Sequence, residues 1–164
     1  MRSGTRSQSK RRWVPCGHRP ICRVKLGYEF TYLYCAIAPA TGNLIALLLP
    51  DMSQACFALF MDYFKKQTRA FHGNHRVVII ADRAGSHQKK VCEQRGIAIE
   101  YLPRGCPELN PVERFFEELR KSMADHIFEN LGEVENYLSQ QLKKYWQHPE
   151  TLIQLCYYPY MRTT

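Results

Sequence analysis

The chain has 164 residues, 45% hydrophobic and 23% charged, with a net charge of +8. That is enough for one domain with a real core, while no apolar run reaches the roughly 18 residues of a membrane span and the start MRSGTRSQSKRR lacks a signal-peptide core, so a cytoplasmic protein without membrane contact is expected. Seven cysteines, an odd number with no CxxC pair, fit reduced thiols better than a disulfide framework.

The charge excess sits at the beginning. Residues 1–28 contain Arg2, Arg6, Lys10, Arg11, Arg12, Arg19, Arg23 and Lys25 and no acid, so the remaining 15 basic residues balance the 15 acids. A basic arm over 1–27, interleaved with Ser, Thr, Gly and Trp13, suits a phosphate backbone; a merely solvated tail is the alternative. Cys16, His18 and Cys22 are residue types that zinc uses, but no second ligand pair follows at a recognised spacing.

Residues 28–164 read as one α/β unit. YEFTYLYCAIAP, the turn ATGN and LIALLLP predict a β-hairpin. Ser53 caps a predicted helix in which Phe57, Phe60 and Phe64 recur at helical spacing and read as core. RVVIIAD is a short apolar run of the kind buried on both faces of a sheet, with Asp82 at its carboxyl end. A short helix stopped by Gly96, the strand IAIEYLP, a helix from Pro111 to about Ile127 and a last helix from Glu133 to about Trp146 follow.

This order predicts helices on a mixed sheet, with the chemistry beyond the carboxyl ends of the strands. Asp82 lies at such an end, and Glu113 follows the loop that leaves the next strand. The bland role for Glu113 is a capping box with Asn110, since Pro111 suits the first helical position. The functional role is to share a hard, oxygen-seeking cation with Asp82.

IIADRAGSH, followed by IEYLPRGCPELNPVERFFEELR, resembles the catalytic core of bacterial insertion-sequence DDE transposases related to the mariner superfamily. RRWVPCGHRP and the YLYCAIAPATG hairpin are similar to the same family's segment between its first and second acids, so the resemblance covers nearly the whole chain. It implies a ribonuclease H-like fold, two magnesium (or manganese) ions, and DNA cleavage and strand transfer. By that match Asp82 is the second acid and Glu113 the third, while Glu108 belongs to the loop motif. His87 either approaches the scissile phosphate, orients a neighbouring group or is a structural hydrogen-bonder. Lys89, Lys90, Arg104 and Arg114 flank the motifs and either hold DNA phosphates or are solvated charges.

The same match puts the family's first Asp immediately before Met1. Most of the first strand and the usual helix-turn-helix region are then expected to be missing, through a decayed gene, a mis-called start or a split reading frame. Implied partners are transposon ends, target DNA and a second copy or a full-length transposase, in a bacterial cytoplasm at the nucleoid. Two classes stay open: a catalytic domain completed by upstream residues or a partner chain, and a non-catalytic DNA-binding or dimerising remnant. A generic metal-dependent nuclease is a third.

Overall fold

A computed structural model describes residues 1–8, 13–19, 21, 23–72 and 77–161. Lys10, Arg11, Arg12 and Cys22 lie outside the described residues.

The predicted hairpin is present as β2 (Phe30–Ala38) and β3 (Asn43–Leu49), antiparallel from Tyr32↔Leu49 to Ala38↔Asn43. β1 (Arg2–Gly4) adds to the other edge of β2, with Arg2 opposite Tyr32. The pairing runs on past the strand: Thr5 N–H reaches Glu29 O at 3.1 Å and Ser7 N–H reaches Lys25 O at 3.0 Å. Part of the basic arm is therefore a ribbon built into the sheet. Lys25 itself is tied down, its ammonium donating to Phe128 O at 3.1 Å and Glu129 O at 2.8 Å.

Successive strand residues face opposite ways, so the hairpin serves two cores. Leu33, Leu44 and Ala46 pack with Phe115, Leu119, Leu138 and Leu152 of the later helices α3 (Pro111–Met123), α4 (Leu131–Gln147) and α5 (Pro149–Cys156). On the other face Tyr34 and Ile45 pack with Phe57, Phe60, Met61 and Phe64 of α1 (Gln54–His72), and with Val91, Cys92 and Ile99. The aromatic stripe of α1 is core, as its spacing predicts, and each such side chain fully buried stabilises by about 2 kcal/mol. Ser53 caps α1, its hydroxyl accepting from Cys56 N–H at 3.2 Å.

β4 (Val78–Ala81) and β5 (Ala98–Tyr101) form a parallel pair, joined through α2 (Lys89–Glu93). The expectation of burial on both faces of β4 is corrected. Ile79 packs into the α1 core, but Val78 and Ile80 are 49% and 62% exposed. The later helices lie over β2 and β3, and no described helix covers that face of β4.

Three helix limits also differ from expectation. α3 stops at Met123, four residues early, because Asp125 takes φ 70° and gives its N–H to Gln8 O at 3.0 Å. α4 starts at Leu131, capped by Asn130. α5 was not expected; Pro149 stands at its first helical position, where proline fits. Among the described residues no helix is long and apolar enough to cross a membrane.

Candidate functional site

Asp82 leaves the carboxyl end of β4 and turns back on its own loop. His87 Nδ1 lies 2.6 Å from Asp82 Oδ1, and Ala84 N–H donates to the same oxygen at 3.3 Å. The His87 bond holds the carboxyl below its ordinary range, overcoming the partial burial that would raise it. Asp82 is thus an ionised carboxylate, with its side chain half exposed.

Glu113 sits on the first turn of α3. The expected capping box is not formed: the Asn110 side chain accepts from Val112 N–H at 3.3 Å, and Asn110 N–H is already bonded to Pro107 O at 2.9 Å. Glu113 Oε2 instead lies 3.5 Å from Arg120 Nη2, two helical turns on. The box appears in a shifted form at α4, where Asn130 accepts from Glu133 N–H at 3.0 Å and Glu133 accepts from Glu129 N–H at 2.8 Å. Glu113 is therefore not used up as a cap.

The amino group of Met1 donates to Leu33 O at 2.6 Å. Burial lowers its pKa, against the charges of Cys35, Glu113 and, most weakly, Asp82, which raise it. Carboxylates such as these two, one at a strand end and one opening a helix, are oxygen donors of the kind a hard divalent cation requires. Among the described residues no group of three His, Cys, Asp or Glu is placed to hold a metal, so the pair fits as part of a site and not a whole one.

The other candidates separate. Arg104 lines an open groove of about 370 Å³ together with Asp82, Arg83, Leu102, Cys106 and Pro107. Lys89 faces Glu93 at 3.7 Å, Lys90 is exposed on α2, and the Arg114 guanidinium lies 5.2 Å from the centre of the Tyr158 ring. Cys16 is an exposed free thiol. Sequence reasoning missed Tyr101, whose hydroxyl donates to His87 O at 2.6 Å, and Arg120. A seven-residue spacing, which returns to the same helix face, was the available signal for Arg120; nothing local marked Tyr101.

A mixed α/β core flanked by helices, with one acid at a strand end and another opening a helix, places the chain in the ribonuclease H-like class. Residues 1–135 match the DDE superfamily endonuclease family, and the chain belongs to it. It is 26% identical over 107 residues, 64% of this chain and 77% of the relative, to the uncharacterized protein y4pE/y4sA of Sinorhizobium fredii. The Mos1 transposase paired-end complex with left transposon end has the same fold, with a TM-score of 0.69 at 16% identity over 94% of this chain and 50% of the other. The Mos1 mariner paired end complexes with Mn and with Mg give 0.68 and 0.66, at 16% and 18% identity. They too match over 94% of this chain, and over 51% and 50% of theirs, so the chain spans about half the length of the solved chains it matches.

Proposed function

We propose that this domain works in DNA transposition, with Asp82 and Glu113 as two of the three acids that hold divalent metal for DNA cleavage and strand transfer. The observation that carries the proposal is the position of the two acids, Asp82 at the carboxyl end of β4 and Glu113 on the first turn of α3. Membership of an endonuclease family and the likeness to transposase complexes that include manganese and magnesium support it.

Two magnesium or manganese ions, when bound, supply activation of a water or a DNA 3′-hydroxyl on one side of a phosphodiester and stabilisation of the leaving oxygen on the other. Asp82 presents an ionised carboxylate whose orientation His87 fixes, so His87 orients an acid rather than touching phosphate. Glu113, whose contact with Arg120 is long and half exposed, would be the second acid to hold the cation. Arg104, in the groove beside Asp82, meets a DNA phosphate, as does Lys90; the arm residues Lys10, Arg11 and Arg12 are further phosphate contacts. Lys89 and Arg114, each engaged by a neighbour, contribute less.

One observation favours the second reading, a non-catalytic DNA-binding or dimerising remnant: among the described residues no group of three His, Cys, Asp or Glu is placed to hold a metal. Magnesium demands near-octahedral oxygen ligation that two side chains fix poorly, and misplacement of about 1 Å can cost roughly 100-fold in rate. A plasmid-nicking assay decides. The 164-residue chain alone is expected to show little magnesium-dependent nicking, and a version extended at its N-terminus by a strand carrying an Asp-Glu pair is expected to nick. Asp82→Ala and Glu113→Ala should each abolish that activity. An extended chain that stays inert favours the remnant, and robust nicking that survives either substitution would place the site elsewhere.

A further inference from the structure

Residues 82–88 make a tight connection from β4 to α2, closed by His87 N–H to Ala84 O and Gln88 N–H to Ser86 O, both at 2.9 Å. α2 has only five residues and no side-chain cap at Gln88, and so short a helix does not hold itself together. His87 is nevertheless fixed from two other elements. Tyr101, the last residue of β5, donates its hydroxyl to the His87 carbonyl at 2.6 Å. Phe57 of α1 packs on the imidazole, with ring centres 5.0 Å apart.

His87 passes that order on. An ionised carboxylate only accepts, so the Nδ1 atom at 2.6 Å carries a proton whatever the charge of the ring. The Ala84 amide points at the same oxygen. Both donors converge on Oδ1, and among the described residues Oδ2 receives no hydrogen bond.

We propose that Tyr101 is a positioning residue for Asp82, acting through His87. The hydroxyl fixes the His87 backbone, Phe57 fixes the ring plane, and the imidazole holds Oδ1 so that Oδ2 is turned to the cation. The proposal rests on the reading of Asp82 as a metal ligand. It assigns a role to a strand residue for which the sequence motifs supplied none. Ligand-holding partners of this kind fix both the rotamer and the basicity of a metal ligand.

Tyr101→Phe in the full 164-residue chain removes the hydroxyl and keeps the ring, which packs against the α1 core. The His87 Nδ1 proton, followed by NMR, should exchange with solvent about fivefold faster, because the loop opens more often. The Mn2+ dissociation constant, read from water-proton relaxation, should rise about threefold, less than the roughly tenfold or more for loss of a direct outer-shell partner such as His87. In a His87→Ala background, adding Tyr101→Phe should change Mn2+ binding no further, since the hydroxyl acts only through the imidazole. His87→Asn, which keeps a donor near the Nδ1 position, should restore most of the affinity. A melting temperature that falls while proton exchange and Mn2+ affinity stay within about twofold would overturn the proposal and leave Tyr101 a packing residue. If Asp82→Ala leaves Mn2+ binding unchanged, the metal reading fails separately, and the exchange rate of the His87 proton alone still decides whether Tyr101 holds the loop.

Discussion

Arg95 donates from Nε and Nη2 to the two oxygens of Asp62, both at 2.8 Å, clamping the chain after α2 to the middle of α1. These bonds hold the Asp62 carboxyl below its ordinary range. A depressed carboxyl contributes stability that is present above its unfolded pKa and is lost as pH falls through the folded one, so the loss belongs below about pH 4. The Asp62 side chain is 58% exposed, which limits the contribution to about 1 kcal/mol or less. Asp62→Asn should therefore melt lower than the parent near pH 7, with the gap closing below about pH 4; a gap that persists there would assign the effect to packing. The two acids of the site were legible because each stands at a boundary that sequence marks, the end of an apolar run and the start of a capped helix. Their surroundings were not. Arg120 stands two turns along the same helix as Glu113, beyond the nearest-neighbour spacings, and Tyr101 reaches the His87 carbonyl from another element, where a spacing rule sees nothing.

Among the elements, the hairpin tip shows how a turn is fixed from outside. Gly42 has φ 71°, and a Cβ there would run into the backbone of Pro149 at the start of α5. Gly96 has a similar φ of 68° with open space around it. Alanine at Gly42 should cost roughly 1–3 kcal/mol for the strained backbone plus the displacement of α5, and alanine at Gly96 the backbone part alone. Urea denaturation compares them directly, and equal losses would show that the contact with α5 carries no weight. The same contrast explains what sequence could reveal of the elements. Aromatic and β-branched composition with the ATGN turn marked β2 and β3, and the cap at Ser53 and the phenylalanine stripe marked α1, because those signals are local. The end of α3 depends on a bond to Gln8, and the bare face of β4 depends on where the later helices settle; neither is written in the residues concerned.

Taken as one body, the protein carries its positive excess in a segment that is partly sheet. Lys25 is committed to the 128–129 backbone, and the Arg2 guanidinium lies 3.6 Å over the Phe30 ring, while the proposed phosphate contacts are Lys10, Arg11 and Arg12. Replacing Lys10, Arg11 and Arg12 by Ala should flatten the dependence of log affinity on log salt by about 3 if each contacts one phosphate, with little change in sequence preference. An unchanged slope would leave those charges to solvent. In the proposed function Asp82, from a strand end, and Glu113, from a helix start, share a divalent metal site. Anomalous diffraction from manganese in crystals of the chain tests it most directly. The expected result is either one ion within about 2.5 Å of both carboxylates, or two ions about 4 Å apart with one acid on each, and Arg120 displaced from Glu113. Manganese bound at one acid only, with Glu113 still held by Arg120, would contradict it.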